Sequence, residues 1–403
     1  MNYKARQDKV LNLMKEDSLF VFFNKRASEE SKPYDVNRNF YYLTGITEFD
    51  DILLLIKNKN ETKAKLYIHR IDPEQERWTG KTVRQDEAKE ITGITDIDVI
   101  DNFYTDILKY VDRHTSIYTL VNEDETKDYS YEDYFKRTLG HKYTYLNGNN
   151  ILKELRTVKD EEEIKLIRHA NLITDRGLDS ILTNLKPGLK EYQIESYFDQ
   201  TIKFNGATGY SFNTIAASGI NSTCLHYSEN KDTLEDSDLI LFDLGASYHT
   251  YCADISRTYP INGKFTDLQK KVYEIVLNGQ KLIESKAKPG LTTRDLNNIL
   301  IQYFIPQLRD NLKLITRPEE VRKYYFHGVS HHLGMDCHDF CIYDKLVPGC
   351  VISNEPGLYI PEWKIGIRIE DDLLITKTGC ENLSQGVKKE IKDIEDFMAK
   401  RGL

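Results

Sequence analysis

Two aspartates, Asp243 and Asp254, stand eleven residues apart in DLILFDLGASYHTYCADISRT (238–258), each at the end of an apolar run. Leu239 to Phe242 has the pattern of a buried strand, Gly245 and Ser247 offer a turn, and Tyr248 to Asp254 is expected to run back alongside. Such a pairing brings both carboxylates into an apolar interior, where two anions are very costly unless a cation sits between them. A surface hairpin with two solvated aspartates is the alternative. The downstream sequence weighs against it. HGVSHHLGMDCHD (327–339) concentrates imidazoles, and Glu355 ends the apolar run of ISNEPGLYI just before Pro356-Gly357. In IGIRIEDDLLI, Arg368 and Glu370 fall on one face of an alternating strand and Ile367 and Ile369 on the other. Neutral imidazole nitrogens and carboxylate oxygens are ligands for divalent metals. Two aspartates, two glutamates and one histidine make five protein ligands, enough for two ions that share bridging carboxylates and leave room for a water. A metal pair of that kind generates a nucleophile near neutral pH and polarises a carbonyl oxygen. The oxygen-rich set favours Mn²⁺, with Zn²⁺ and Co²⁺ as alternatives.

These residues need elements to bring them together. Thr157-x-x-Asp160 offers a helix start, and Leu166, Ala170, Ile173, Gly177 and Ile181 follow at helical spacing. Lys186-Pro187-Gly188-Leu189 must end that helix, and a second is predicted over about 190–204. The same four letters recur 102 residues on, at Lys288-Pro289-Gly290-Leu291, again after a helical stretch (266–287) and before another. A histidine follows each copy, His226 in one and His331 in the other, and then a strand-like segment with two acids, Asp243/Asp254 and Glu355/Glu370. The order predicts a diverged internal repeat of helix, turn, helix and carboxylate-bearing hairpin, folded two-fold so that the hairpins face each other.

Residues 1 to about 150 carry the short apolar runs SLFVFF (18–23), DILLLI (51–56), KLYIH (65–69) and SIYTLV (116–121) with helical stretches at 6–16 and 105–114, an α/β domain with no Gly-rich phosphate loop. KYTYLNGN (142–149) reads as the linker to the second domain, giving boundaries of 1–150 and 151–403. The net charge of −9 in 403 residues argues against a nucleic-acid surface. No run is long enough to cross a bilayer, the N-terminus has no apolar signal region, and six cysteines without a CxxC pair read as reduced thiols. A cytoplasmic protein is expected. Asp371 and Asp372 are expected as solvated strand-end charges, Asp339 as a residue supporting the site rather than a ligand, His249 and His332 as ordinary core or surface histidines, and 387–401 as a solvated C-terminal helix.

RNFYYLTGITEFDDILLLI (38–56), LHYSEN (225–230), FDLGASYHTYCADISRTYPINGKF (242–265), HGVSHHLGMDCHD, NEPGLYI and GIRIEDDLLIT together resemble the aminopeptidase P family, the Xaa-Pro aminopeptidases of the pita-bread metallopeptidase superfamily, over essentially the whole chain. The resemblance implies an α+β fold: a C-terminal pita-bread domain with a pseudo-two-fold repeat behind a smaller α/β N-terminal domain of the creatinase type. It implies Asp243, Asp254, His331, Glu355 and Glu370 as ligands of two divalent ions, with Asp254 and Glu370 bridging. It implies that His226 and His338 are imidazoles that steady the tetrahedral intermediate, that Glu355 doubles as proton shuttle, and that Phe212, His327 and Arg368 line a proline pocket with Tyr359 beside them. The reaction it implies is attack of a metal-bridging hydroxide on the Xaa-Pro carbonyl of a peptide with proline at its second position. A homo-oligomer, dimer or tetramer, goes with the resemblance. A prolidase limited to Xaa-Pro dipeptides and an inactive binding protein of the same fold are the alternatives. The segment after His338-Asp339 is shorter than the family pattern, reaching Pro348-Gly349 quickly, so the preferred peptide length is open.

Overall fold

Strands dominated by β-branched, leucine and aromatic residues pair into a sheet in the first part of the chain. They are β1 (Ser18–Phe23), β2 (Ile52–Lys57), β3 (Thr62–Ile68), β4 (Asp96–Val99), β5 (Ser116–Thr119) and β6 (Thr144–Asn147), in the order β4-β3-β2-β1-β5-β6. β1 lies mid-sheet, paired antiparallel to β2 and parallel to β5, which is why all six of its residues are buried and why it reads as a continuous apolar run. The computed structural model describes residues 1–26, 34–121, 130–140 and 142–401. They divide into two units, Met1–Leu155 and Arg156–Leu403.

Two expectations for the first unit change. The stretch 105–114 is not one helix: a single turn, Phe103–Asp106, passes into a 3₁₀ turn at Ile107–Lys109. Asp112 ends the run by accepting from the backbone N–H groups of His114 and Thr115, a local bond that competes with helix. The segment read as linker contains β6, parallel to β5 at the sheet edge, as its Thr-Tyr-Leu alternation permits.

In the second unit, Asp160 caps the helix Glu161–Asn184 by accepting from the N–H groups of Glu162 and Glu163. The helix Glu191–Phe204 follows, and the helices Asp267–Lys286 and Thr293–Pro306 repeat the pattern. The two Lys-Pro-Gly-Leu turns are equivalent in detail. Gly188 and Gly290 have φ of 87° and 92°, a region that favours glycine. Gly188 N–H donates to Leu234 O and Gly290 N–H to Leu346 O, both at 2.9 Å, and Leu234 and Leu346 N–H return bonds to Leu189 O and Leu291 O at 2.8 and 2.7 Å. Two copies of one hydrogen-bonded turn, each tying a helix pair to the chain ahead of a carboxylate-bearing sheet, are the structural form of the repeat.

The sheets hold the acids. β7 (Gly209–Tyr210), β8 (Ile215–Ser218), β9 (Leu239–Leu244), β10 (Ala246–Tyr248), β11 (Tyr251–Cys252) and β12 (Ile255–Pro260) form two three-stranded sheets, β11-β10-β7 and β12-β9-β8. β13 (Val351–Asn354), β14 (Gly357–Ile360), β15 (Ile365–Arg368), β16 (Asp371–Ile375) and β17 (Cys380–Asn382) form β13-β16-β17 and the pair β14-β15. The strand that returns along β9 is β12, with Asp243 opposite Ser256, and not Tyr248–Asp254. The residues between them make the small β10-β11 hairpin, with His249 and Thr250 at positive φ in its turn. The apolar core runs from the long helices through Phe242, Tyr259, Tyr273, Ile367 and Leu373. The last helix, Ile391–Lys400, is not solvated all round, since Ile394 and Met398 are buried in it. Among the described residues no helix is long and apolar enough to cross a membrane.

Candidate active site

Asp254 precedes β12, Glu370 lies between β15 and β16, and His331 lies in the irregular segment ahead of β13. Each offers a ligand atom, and these atoms all lie within 4.8 Å of one another. The backbone explains the meeting: Glu370 N–H donates to Ser256 O at 3.0 Å, and His331 N–H donates to Ser353 Oγ at 2.9 Å. His331 Nε2 is 3.3 Å from Asp254 Oδ2 and 3.6 Å from Glu355 Oε1. Asp243 faces Arg368, whose Nη2 is 2.6 Å from Asp243 Oδ2. Arg368 also donates from Nε to Ser256 Oγ at 2.7 Å and from Nη1 to Tyr359 Oη at 2.9 Å. Three of the five guanidinium donors thus go to neighbours within the site. Tyr359 Oη is 2.9 Å from His327 Nε2, and His327 Nδ1 is 3.6 Å from Glu355 Oε2.

Burial, and then the charges of Asp254, Glu355 and Asp243, push Glu370 well above the ordinary carboxylate range. Burial also raises Asp243, against the opposing charge of Arg368. Glu355 is pushed up to about 7 by burial, with Asp254 and Asp243 adding to it against His331 and Arg368. Burial alone would lower His331, but the hydrogen bond and charge of Asp254 carry it up to about 9. Burial and the nearby Arg368 hold His327 down at about 4. Two buried carboxyl groups, Asp254 and Glu370, and two half-buried ones, Asp243 and Glu355, around one guanidinium and one imidazole are short of positive charge, and their oxygens with His331 nitrogen are a donor set that divalent cations take. The residues fit a metal centre, with Asp254, His331 and Glu370 converged and Asp243 and Glu355 beside them.

The remaining expected residues lie around this cluster. The His338 ring is 4.2 Å from that of His331. His226 is exposed in a turn, near enough for its charge to lower both His327 and His338. Phe212 sits in the loop between β7 and β8; the aromatic rings packed on His327 are those of Tyr325, Phe326 and Tyr359. Asp371 and Asp372 are not solvated. Both are fully buried, Asp371 paired with Arg257 at 2.6 Å and Lys389 at 2.5 Å, and Asp372 accepting from Asn171 at 2.8 Å and from Asp254 N–H at 3.2 Å. β16 is paired along both edges and buried on both faces, all five of its residues being covered, so a strand-end charge here does not meet solvent. Three contributors were not singled out from the sequence. Ser256 Oγ is within hydrogen-bond distance of Asp243, Glu370 and Arg368. Cys337 donates to Asp254 Oδ2 at 2.9 Å, and Asn171 steadies Asp372 from the long helix. Only Ser256 carried a signal, its place opposite Asp243 once β12 is taken as the partner of β9.

The family model of metallopeptidase family M24 matches residues 165–377, and that of the aminopeptidase P N-terminal domain matches residues 3–118. The chain is 31% identical to the Xaa-Pro aminopeptidase of Escherichia coli, covering 98% of this chain and 97% of that protein. It is 30% identical to human Xaa-Pro aminopeptidase 3 over 91% of this chain and 77% of that one. Among solved structures it superposes on Escherichia coli aminopeptidase P with the inhibitor Pro-Leu at a TM-score of 0.90 and 31% identity, covering 99% of this chain and 98% of that one. The zinc-substituted form of that enzyme in complex with product gives 0.90 and 30%, covering 100% and 98%. With a metallopeptidase model over more than half its length and relatives this similar from end to end, the chain belongs to metallopeptidase family M24 and, within it, to the Xaa-Pro aminopeptidases, metal-dependent hydrolases that join an aminopeptidase P N-terminal domain to a pita-bread catalytic domain.

Proposed function

We propose that the chain removes the N-terminal residue from peptides whose second residue is proline, with two divalent ions held by Asp243, Asp254, His331, Glu355 and Glu370. The observation that carries this reading is the convergence of Asp254, His331 and Glu370 within 4.8 Å, flanked by Asp243 and Glu355 among buried groups short of positive charge. When bound, the ions would supply an activated water and a Lewis-acid hold on the scissile carbonyl oxygen. Mn²⁺ suits the four carboxylates and single imidazole best; Zn²⁺ and Co²⁺ are the competitors.

The chain's own residues do the rest. His338 and His226 donate hydrogen bonds to the oxygen on which negative charge develops as water adds to the carbonyl carbon. Glu355 takes the proton from that water and delivers it to the proline nitrogen as the C–N bond breaks, so one group serves as base and then as acid. Its place between His331 and His327 supports this role. Arg368 orients Asp243 and Tyr359, and His327, Tyr359 and Phe212 surround the proline ring. A cytoplasmic, oligomeric enzyme, dimer or tetramer, is part of the same proposal.

The test is hydrolysis of Arg-Pro-Pro, of an Xaa-Pro dipeptide and of a tripeptide without proline, by metal-stripped protein before and after addition of Mn²⁺. Mn²⁺-dependent release of arginine from Arg-Pro-Pro, with the proline-free tripeptide untouched, is expected. Cleavage of the dipeptide alone would make the enzyme a prolidase, and cleavage of neither, with metal bound, would overturn the proposal.

A further inference from the structure

The segment His331–Asp339 has almost no regular structure, yet it carries two imidazoles of the site. It closes on itself, with Asp339 N–H donating to His332 O at 2.8 Å and Gly334 N–H to Asp336 O at 3.0 Å. What pins it comes from the chain just ahead of the long helix. Arg156, 1% exposed, reaches Asp336 Oδ2 at 2.6 Å and Asp339 Oδ1 at 2.8 Å with the same Nη2, and its guanidinium lies 4.7 Å from the centre of the Phe340 ring. Lys159 Nζ, equally buried, is 3.5 Å from Asp339 Oδ2. Thr157 Oγ1 accepts from Ile342 N–H at 3.2 Å. The fit leaves no slack: a Cβ at Gly334 would stand 2.0 Å from Asp339 Oδ2 and 2.8 Å from Lys159 Cε.

Two cations and two carboxylates balance in charge. Its place is informative. Asp336 and Asp339 bracket Cys337, which donates to Asp254, and His338, whose ring stands 4.2 Å from that of His331. Buried ion pairs contribute little net stability compared with apolar packing, but they do specify one arrangement where packing would allow several. We infer that Arg156 and Lys159 are positioning residues, and that the clamp Arg156 sets on Asp336 and Asp339 fixes the place of the His338 imidazole above the ligand cluster. The inference rests on the role proposed for His338.

The experiment is a double-mutant cycle in the Mn²⁺-loaded full chain. Asp336 is the mildest point of attack, since its side chain is 23% exposed and Asp336→Asn keeps its shape; Arg156→Lys, which keeps the charge but replaces the planar guanidinium whose Nη2 meets both aspartates, is the second variant. Each is expected to lower kcat on Arg-Pro-Pro about 10- to 100-fold, the cost of a misplaced catalytic group, with KM, bound Mn²⁺ per chain and Tm close to wild type. In a His338→Ala background the same changes should cost less than about 2-fold, because the group they place is gone. Equal losses with and without His338, or a loss that tracks released Mn²⁺ or a fallen Tm, would overturn the inference and leave a structural brace. Wild type inactive on Arg-Pro-Pro would instead sink the proposed function. The clamp is then read without turnover, from ring signals of the metal-stripped, ¹⁵N-histidine-labelled protein. Asp336→Asn should shift the His338 signals and leave those of His69 and His114 in place; an unmoved His338 refutes the clamp.

Discussion

At the scale of the residue, Arg368 is the group on which the site's charge balance turns. Buried and 2% exposed, it joins Asp243, Ser256 and Tyr359 through three nitrogens. A lysine in its place would keep a charge but could not span three acceptors. Arg368→Lys is therefore expected to lose roughly 10²-fold in kcat/KM with Arg-Pro-Pro, the cost of a displaced supporting group. Arg368→Met removes the charge and leaves Asp243 an uncompensated, largely buried anion, a loss of about 3–5 kcal/mol in the metal-stripped protein. Divalent metal replaces part of that charge, so adding Mn²⁺ should raise the Tm of Arg368→Met more than that of wild type. Equal shifts would mean that the guanidinium, and not metal, is the natural neighbour of Asp243. The sequence placed Arg368 on the face of Glu370 by alternation alone, but alternation does not say which carboxylate it would meet, since Asp243 comes from the other half of the repeat.

At the scale of the element, the runs that lie buried on both faces were readable letter by letter, as SLFVFF is β1 without an error. The long helix was readable too, although its cap is Asp160 with Glu163 and not Thr157 with Asp160, because Thr157 ends the helix Asn149–Thr157 before it. Weak elements were not, because their ends are decided by local side-chain bonds, as at Asp112, or by edge pairing, as in β6. One such short turn carries a pH dependence. Asp106, 4% exposed on the turn Phe103–Asp106, accepts from Tyr67 Oη at 2.6 Å and pairs with Lys65 at 2.5 Å and Lys109 at 2.6 Å, tying the turn to β3. Burial raises its carboxyl, but the bonds from Lys109, Lys65 and Tyr67 outweigh it and hold it below the ordinary range. A depressed carboxyl contributes stability that is fully present above the unfolded value of about 3.9 and is lost as pH falls through the folded value. Asp106→Asn should thus lower the urea midpoint at pH 7, and the gap to wild type should close as the pH is taken from about 4 downward. A gap of constant size across that range would show that the charge of Asp106 adds nothing to its hydrogen bonds.

At the scale of the whole molecule, the ligand candidates are divided between the two copies of the repeat. Asp243 lies in β9 and Asp254 just ahead of β12 in the first; His331, Glu355 and Glu370 belong to the segments beside β13, β15 and β16 in the second. The recurrence of Lys-Pro-Gly-Leu and of paired acids made this division legible, and the matching turns at Gly188 and Gly290 bear it out. What recurrence could not convey was the supporting layer of Ser256, Asn171, Asp372 and the Arg156 clamp, whose partners lie between 112 and 201 residues away or across a hairpin whose register had to be known. A metal centre built this way is also a staple. Any ligand that binds the folded state alone stabilises it by about 2.7 kcal/mol at a concentration 100 times its Kd. On the proposed five-ligand centre that stabilisation must appear in both halves, because each would supply ligands to one cluster. Stripping Mn²⁺ should therefore speed amide hydrogen exchange in peptides spanning β9 and β12 and, together with them, in peptides spanning β13 and β16. Exchange that quickens in one sheet while the other keeps its protection would assign the metal to one copy of the repeat and break the five-ligand centre apart.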